Sequence, residues 1–345
     1  MELKPHLWIS IYHRHPRKAK ELFKWRFRAI LINDIQQAKG SQILISSTPK
    51  RPLLIVLLGP TASGKTQLGI QIAKQLKICI HNVDSRQLYK GMDIGTAKPT
   101  KLQRREVEHK LIDLRSPDEP ITLKEFHEIA QISIEKSLAN KNIALIVGGS
   151  GLYIKAITSG LIPPAVSPQI GLRNQLSQIS QKECHQILKI CDEKAAERIS
   201  SRDQIRTQRA LEVFYATGKA MTEQEGENPP PWQILEIGMS PKDLKARISS
   251  RTNEIYKNGL LKETKMLANK FSKNLPILQT IGYGEALQVL ENKIKLCDAI
   301  SLTTRRTSQL AKKQRTWFRR KHSPIWINNE EPLREALSLI ESVLR

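Results

Sequence analysis

The sequence contains little cysteine and no long apolar segment. Its 345 residues include four cysteines without a Cys-x-x-Cys spacing: Cys79, Cys184, Cys191 and Cys297. So few thiols argue against a disulfide framework and are typical of a reducing compartment, so we expect a cytoplasmic protein. The spacing around His185 fits no common zinc motif. Because no stretch approaches the ~18 to 20 consecutive apolar residues of a membrane-spanning helix, membrane insertion is excluded.

Acidic residues are also scarce relative to basic ones. The chain has 33 Asp and Glu against 56 Lys and Arg, which leaves a formal net charge of +23. An excess of this size indicates a partner or surface of opposite charge. At roughly 150 residues per domain, the length predicts about two folded domains. No feature of the sequence requires an oligomer, so we expect a monomer.

The first fifty residues differ in composition from the rest. They hold ten Lys and Arg against three Asp and Glu, with no sustained hydrophobic period. We expect residues 1–50 to be a basic, weakly ordered extension. A targeting arm is the alternative, although Glu2, Glu21 and Asp34 interrupt the basic run and no apolar core with a cleavage site follows.

Strands alternate with helices in the next hundred residues. The apolar run Leu53–Leu58 predicts a strand buried on both faces, and segments 78–84 and 143–147 predict two more. Thr122 and Glu125 form a capping-box pattern at the start of a helix. This alternation predicts an α/β fold with a parallel sheet and helices on both faces.

A glycine-rich loop follows the first predicted strand and precedes a predicted helix. It matches the phosphate-binding loop (P-loop) pattern GxxxxGK[ST] in full. Backbone N–H groups and the helix N-terminus attract phosphate oxygens, Lys65 supplies a cation, and the Thr66 hydroxyl would bind Mg²⁺. The residues of this loop are Gly59, Pro60, Thr61, Ala62, Ser63, Gly64, Lys65 and Thr66.

The amino-acid composition changes after Pro164, where long polar stretches rich in Gln, Lys and Arg begin. We predict an inserted helical domain at 163–234, without strands, within a P-loop core formed by 51–162 and 235–345. Its clearest helix runs from about Arg202 to Thr217, and Gly218 follows at the position of a left-handed cap.

Two strands should deliver polar side chains to the phosphate loop. Asp84 ends the second strand, and Ser150 follows the third, at the position where many nucleotide hydrolases carry a magnesium-binding Asp. Because the carboxyl ends of parallel strands open into one crevice, both should face the phosphate site. Asp84 suits a general base toward a second substrate, and a helix cap or a metal ligand is the alternative.

Basic residues concentrate in two further segments. Arg202, Arg206 and Arg209 are spaced to share one helix face. Between 301 and 324 there are eight Lys and Arg and no Asp or Glu, which favours a phosphodiester-binding surface. Trp317 and Phe318 lie within this segment and are interpreted as core anchors of the helix or, alternatively, as base-stacking residues.

Together these motifs resemble the tRNA dimethylallyltransferases, also called tRNA isopentenyltransferases. The resemblance covers about residues 53–328. Beyond the loop it rests on five strings, which are Val83–Pro99 (VDSRQLYKGMDIGTAKP), Val147–Tyr153 (VGGSGLY), Arg209–Val213 (RALEV), Ile281–Tyr283 (IGY) and Gln314–Phe318 (QRTWF).

The resemblance implies transfer of a dimethylallyl group from dimethylallyl diphosphate to the exocyclic N6 amine of the adenosine immediately 3′ of the tRNA anticodon. Diphosphate leaves from the P-loop, where Lys65 and Mg²⁺ on Thr66 stabilise its charge. In this resemblance, Asp84 accepts a hydrogen bond or proton from the amine, and Ser150 is a further catalytic residue. The normally stacked base must be flipped into the crevice.

Residue by residue, the resemblance assigns contacts to the anticodon stem-loop. They are Asp84, Ser85, Arg86, Gln87, Ser150, Arg173, Arg206, Arg209, Gln279, Gly282, Tyr283, Lys313, Gln314, Arg315, Trp317 and Arg319. Some positions depart from the family pattern. Ser150 replaces the usual Thr and keeps the hydroxyl, whereas Ile205, Gly284 and Ser308 each lack a polar partner that relatives have.

Two other functions are consistent with parts of the sequence. A P-loop kinase acting on a small substrate would explain the loop and Asp84, but it leaves the basic segment without a role. An RNA-binding protein without catalytic activity would explain the basic segment alone. ATP turnover would support the first alternative, and tRNA binding without turnover would support the second.

Overall fold

The structure is a computed structural model and describes residues 51–328 and 330–345. The predicted extension at residues 1–50 lies outside the described residues. The strands are β1 (Leu53–Leu58), β2 (Ile80–Val83), β3 (His109–Lys110), β4 (Ile143–Gly148), β5 (Leu161–Ile162), β6 (Gly226–Glu227), β7 (Gln233–Met239) and β8 (Ile325–Ile327).

Helices occupy most of the remaining described chain. The α-helices are α1 (Lys65–Leu76), α2 (Lys101–Glu106), α3 (Leu123–Lys141), α4 (Gly151–Ser159), α5 (Ile170–Ser177), α6 (Gln181–Cys191), α7 (Glu193–Arg198), α8 (Gln204–Thr217), α9 (Met221–Gln224), α10 (Leu244–Lys257), α11 (Leu260–Lys270), α12 (Tyr283–Leu290), α13 (Leu296–Lys321) and α14 (Pro332–Leu344). A 3₁₀ helix lies at Pro276–Gln279.

Within the described residues, six strands form one parallel sheet in the order β3-β2-β4-β1-β7-β8. The central strands β1 and β4 are buried along their whole length, as their uninterrupted apolar runs predict. The first strand begins and ends at the predicted residues. The predicted strands at 78–84 and 143–147 are confirmed as β2 and β4, with ends shifted by one or two residues.

Alternate side chains of β1 pack against helices on opposite faces of the sheet. Leu54, Val56 and Leu58 belong to a core that includes residues of α3, such as Phe126, and of the C-terminal helices. On the other face, Leu57 approaches α1 at Gly69, where an added Cβ would lie 3.7 Å from the Leu57 side chain. The predicted α/β class, with helices on both faces of the sheet, is therefore confirmed.

Local capping signals hold where the sequence predicts them. The Thr122 side chain accepts a hydrogen bond from the backbone of Glu125 at the start of α3, and the Glu125 side chain accepts one in return. Helix α8 ends at Gly218, whose φ of 70° is left-handed. The start of α8 differs: Asp203 caps the helix by accepting a hydrogen bond from Arg206 N, so Arg202 lies outside it.

The segment between β5 and β7 contains helices α5 to α9. Helices α5 to α8 share an apolar cluster of their own: Leu176, Cys184, Leu188, Ala195, Ala196, Ile199, Ala210 and Leu211. The expectation that this segment lacks strands is wrong, because Gly226 and Glu227 pair antiparallel with β5. Two residues are too short a stretch for a periodic pattern to reveal. The boundaries at 163 and 234 stay predictions.

The described helices do not include one with the length and apolar composition needed to cross a membrane. All four cysteines are free thiols. Cys184 is buried among the apolar residues of the inserted segment, and Cys297 is exposed.

Candidate active site

The phosphate loop connects β1 to α1 and turns sharply at its glycines. An added Cβ at Gly59 would lie 2.4 Å from the carbonyl oxygen of Met239, so only glycine fits against β7. Gly64 precedes α1 with a left-handed φ of 93°. The loop therefore brings its backbone and the amino end of α1 to the carboxyl edge of the sheet, where phosphate oxygens are attracted.

Lys65 lies within this loop and contacts the loop itself. Its Nζ donates to the carbonyl oxygen of Pro60 at 2.6 Å and approaches Ser63 Oγ at 3.4 Å. Burial and, to a lesser extent, nearby Arg251 together lower the pKa of Lys65 to about 7, although Asp84 opposes the shift. An anion bound in the loop would restore the charged form, because it replaces the hydration that burial removes.

Asp84 and Ser150 lie at the ends of the neighbouring strands β2 and β4, as predicted. Asp84 Oδ1 accepts a hydrogen bond from Arg86 N at 2.9 Å. Ser150 Oγ accepts one from Ser85 N at 3.0 Å and lies 3.3 Å from Ser85 Oγ. The predicted hydroxyl of Ser150 thus fixes the backbone beside Asp84, and the second carboxylate oxygen of Asp84 has no partner among the described residues.

A cavity of about 650 Å³ joins these parts. Thr61 of the phosphate loop, Asp84 and Ser150 all line it. Its other walls come from α4, α10, α13 and the segment before α12. It opens at the carboxyl ends of the parallel strands, which is where open α/β sheets bind their ligands. The volume is in the range of small-ligand pockets, about 300 to 1,000 Å³.

Arg251 is a cavity residue that the sequence analysis missed. It lies on α10 and lines the cavity, close enough to Lys65 to lower the pKa of that lysine. Burial lowers the pKa of Arg251 itself, and the nearby Asp84 carboxylate opposes that shift. Its guanidinium forms no ion pair with a described residue. Arg251 follows Arg247 by one helical turn, but such spacing in a polar segment does not show which face meets the cavity.

Gln314, one of the predicted RNA contacts, lines the cavity and forms hydrogen bonds with the phosphate loop and with the end of β4. Its Oε1 accepts a hydrogen bond from Thr61 N at 2.8 Å, and its Nε2 donates to the carbonyl oxygen of Gly149 at 2.9 Å. Trp317, one turn further along α13, packs against Gly151, and its Nε1 is buried without a hydrogen-bond partner in the part of the chain that the structure describes. Phe318 is fully buried, which favours a core role for that residue.

Two other residues predicted to contact RNA have buried side chains, and one of them, Tyr283, also lines the cavity. Gln87 is buried, accepts a hydrogen bond from Asn82 Nδ2, and donates to the carbonyl oxygens of Thr96 and Ala97. Tyr283 is also buried, and its hydroxyl donates to Glu263 at 2.6 Å. Burial beside that carboxylate raises the pKa of Tyr283.

Glu263 holds the segment 93–95 in place, and the sequence analysis did not anticipate this role. Its carboxylate accepts hydrogen bonds from three successive backbone N–H groups, those of Asp93, Ile94 and Gly95, at 2.8 to 3.0 Å. Nearby, Gly282 N donates to Glu285, and Gln279 Nε2 donates to the carbonyl oxygen of Lys273.

Arg173 and Arg209, also predicted to bind RNA, converge on one buried carboxylate. Glu212 accepts from Arg173 Nε and Nη2 at 2.8 and 2.9 Å and from Arg209 Nη1 at 2.5 Å. These bonds lower the pKa of Glu212 to about 2 against the effect of burial. The two guanidinium groups stay partly exposed, with 44% and 30% of the side-chain surface accessible.

The remaining predicted contacts lie at the surface. Arg206 pairs with Asp203 at 3.5 Å. Lys313 lines the cavity, and with Arg315 and Arg319 it extends along α13. These three cations form no ion pair with described residues. The structure thus brings Lys313 to the cavity and leaves Arg206, Arg315 and Arg319 outside it.

Known proteins resemble this chain over most of its length. The family profile described as IPP transferase matches residues 87–321. A tRNA dimethylallyltransferase of Prochlorococcus marinus (strain MIT 9313) is 59% identical over 295 residues, covering 86% of this chain and 99% of the relative. The relative from Synechococcus sp. (strain WH7803), with the same description, is 56% identical over 293 residues, covering 85% and 94%.

Solved structures share the fold. The full-length tRNA isopentenylpyrophosphate transferase of Bacillus halodurans gives a TM-score of 0.63 at 30% identity, covering 85% of this chain and 97% of that one. A eukaryotic dimethylallyltransferase acting on tRNA gives 0.64 at 26% identity, covering 77% and 69%. The chain therefore belongs to the IPP transferase family.

Proposed function

We propose that this protein transfers the dimethylallyl group of dimethylallyl diphosphate to the N6 amine of the adenosine immediately 3′ of the tRNA anticodon. The observation that carries the proposal is one cavity lined by the phosphate loop, by Asp84 and by the basic helix α13. In the reaction a carbon–oxygen bond to diphosphate breaks and a carbon–nitrogen bond to adenine forms. One amine proton leaves, and the diphosphate departs.

The phosphate loop binds the leaving diphosphate. Its backbone N–H groups, the amino end of α1 and the Lys65 ammonium donate to phosphate oxygens. Arg251 of α10 adds a second cation to the cavity. Both cations stabilise the negative charge that develops as the carbon–oxygen bond lengthens.

Mg²⁺ would bind beside the phosphate loop, at the amino end of α1. The Thr66 hydroxyl is exposed at the first turn of α1 and forms no hydrogen bond with described residues. No cluster of three or more His, Cys, Asp or Glu within the described residues suits a metal. Thr66 would hold Mg²⁺ together with diphosphate oxygens, as Mg²⁺ usually binds in phosphate sites, and the ion would neutralise charge on the leaving group.

Asp84 binds the acceptor amine. Arg86 N occupies one carboxylate oxygen, which leaves the other to accept a hydrogen bond from the amine and orient its lone pair toward the allylic carbon. Proton transfer to Asp84 accompanies or follows bond formation. Adenine must leave its stack to reach this carboxylate, which costs a few kcal/mol, and phosphate contacts to the basic surface offset that cost.

The protein acts as a monomer on tRNA in the cytoplasm in this proposal. Each part of the reaction described above uses residues of a single chain. The free thiols among the described residues are consistent with a reducing compartment.

The test is direct. Unmodified tRNA is incubated with the protein, Mg²⁺ and dimethylallyl diphosphate, and the tRNA nucleosides are then examined by mass spectrometry. We expect a prenylated adenosine, and diphosphate released in equal amount. A parallel assay measures ATP turnover. Brisk ATP turnover without prenylation would replace the proposal with a P-loop kinase, and tRNA binding without either reaction would leave only an RNA-binding function.

A further inference from the structure

A second concave surface lies between α10 and α13, which we call the basic groove. It encloses about 440 Å³ and is lined by seven residues of polar type, none of them acidic, whose aliphatic parts form most of its wall. They are Lys245, Ser301, Thr304, Arg305, Ser308, Gln309 and Lys312. The groove shares no lining residue with the catalytic cavity.

The three cations of the basic groove are uncompensated. Lys245, Arg305 and Lys312 are exposed and form no ion pair or hydrogen bond with the described residues. Neighbours on the same helices behave differently, since Arg306 bonds to Glu285 and Arg247 pairs with Asp243 at 2.8 Å. Three like charges beside hydroxyl and amide groups favour an anionic ligand.

The groove continues toward a predicted RNA contact. Arg305, Lys312 and Arg319 recur every seven residues of α13, which places them along one side of the helix. At about 1.5 Å per residue, successive cations lie roughly 10 Å apart along the axis. A small anion can contact only one or two of these three α13 cations at a time. A chain of phosphates can contact Arg305, Lys312 and Arg319 together.

The groove is also tied to the phosphate loop. Leu244, Ile248 and Ala311 pack together where α10 meets α13, and Ala62 of the loop packs against them. Lys245 and Lys312 each follow a residue of this apolar contact in sequence, so the position of the groove relative to the loop is fixed by core packing.

We propose that the basic groove binds the phosphodiester backbone of the substrate tRNA, in addition to the contacts that the family resemblance assigns. This inference rests on the proposed function, since it takes tRNA as the partner. Phosphate contacts of this kind add affinity without reading sequence.

The experiment compares two triple variants of the full chain. The groove variant carries Lys245→Gln, Arg305→Gln and Lys312→Gln. The matched control carries Lys124→Gln, Lys136→Gln and Lys141→Gln, three exposed lysines of α3 without ion pairs among the described residues. Binding of unmodified tRNA is measured by filter retention from 50 to 300 mM KCl, and transfer is measured with saturating tRNA.

We expect the groove variant to bind tRNA about 10- to 100-fold more weakly at 150 mM KCl. Each lost phosphate contact should reduce the slope of log affinity against log salt by about 1. The kcat at saturating tRNA and the KM for the diphosphate donor should stay within about twofold of the unsubstituted protein. The control variant should match the unsubstituted protein in all four quantities.

Other outcomes would overturn the inference. Unchanged tRNA affinity and salt slope in a groove variant that remains folded by circular dichroism would show that the groove does not bind RNA. A groove variant that changes inhibition by inorganic diphosphate but not tRNA affinity would assign the groove to a small anion. Failure of the unsubstituted protein to bind or prenylate tRNA would instead refute the proposed function.

Discussion

The side chain of Gln314 accepts a hydrogen bond from Thr61 N at 2.8 Å, although 253 residues separate the two in sequence. The same amide donates to Gly149 at 2.9 Å, so one residue of the basic helix α13 joins the phosphate loop to the end of β4. The helix expected to bind RNA therefore also fixes the site expected to bind diphosphate.

Replacing Gln314 with Ala should loosen the phosphate loop. Both hydrogen bonds are lost, and at roughly 1 kcal/mol each the combined effect on kcat/KM for the diphosphate donor should be about tenfold or more. Steady-state kinetics with varied donor would check this. Thr316→Ala, an exposed substitution on the same helix, should leave kcat/KM unchanged. Equal kinetics for both variants would remove the role assigned to Gln314.

Replacing Asp84 with Asn should lower the rate of transfer by about 10² to 10⁴ while tRNA affinity stays within about twofold. Asn retains an oxygen that accepts from Arg86 N, so the backbone is preserved and only the base is lost. Single-turnover rates and tRNA binding are measured in parallel. Asp118→Asn, at an exposed turn, serves as the control. An unchanged single-turnover rate would refute the assignment of Asp84 as base.

Donor binding should depend on the protonation of Lys65, whose pKa burial lowers to about 7. The ammonium form binds diphosphate, so affinity is fully present below pH 7 and falls as the pH rises above it, by up to about tenfold per pH unit. The donor KM is measured from pH 6 to 8.5.

A Lys65→Arg variant provides the comparison, because arginine stays charged throughout this range. Ionisation of the donor affects both proteins equally, so the difference between the two profiles reports on Lys65. Parallel profiles would show that Lys65 does not titrate in this window. Lys65→Ala should weaken donor binding at every pH, and an unchanged donor KM would contradict the loop assignment.

Stability should fall in mild acid because of His81. This imidazole is fully buried, 3.1 Å from Ser133 Oγ and 3.0 Å from Ser137 Oγ, and burial lowers its pKa to about 3. The unfolded chain binds a proton near pH 6.5 and the folded protein does not. The stabilising contribution is therefore complete above pH 6.5 and decreases below it, by about 1.4 kcal/mol per pH unit.

Urea unfolding at pH 5, 6, 7 and 8 would measure this slope. A His81→Gln variant should be less stable at pH 7, because a packed ring and its hydrogen bonds are lost, yet its stability should depend less on pH between 5 and 6.5. The same pH slope in both proteins would show that other groups account for acid sensitivity.

Replacing Glu212 with Gln should raise the KM for tRNA about tenfold and leave kcat unchanged. The carboxylate holds Arg173 and Arg209 side by side, whereas an amide carries no negative charge and has an NH₂ donor in place of one of the two acceptor oxygens. A transfer assay with varied tRNA checks the separation of KM from kcat. A fall in kcat with no change in KM would assign Glu212 to the core rather than to the RNA surface.

The sequence predicts the central sheet well because its signals are local. Leu53–Leu58 is an uninterrupted apolar run, and a glycine loop follows at once, so strand, loop and helix are determined by neighbouring residues. Asp84 and Ser150 are found by the same logic, since parallel topology places strand ends at one edge.

What the sequence does not reveal is the direction of individual side chains. Gln87 and Tyr283 lie in motifs that suggest RNA contact. Both side chains are buried, and their hydrogen bonds stabilise the segments around them. Arg251 reaches the cavity from a helix 167 positions beyond Asp84, and only the packing of α10 against α13 brings it there. Such relations are tertiary and leave no periodic signal.

The contact between Gly151 and Trp317 has a wider consequence. A Cβ at position 151 would lie 2.2 Å from the indole Cδ1, so every larger residue would displace the ring and move one wall of the cavity. The volume available to a base that enters the cavity therefore depends on the absence of a side chain at Gly151. We expect natural variants to keep glycine at this position.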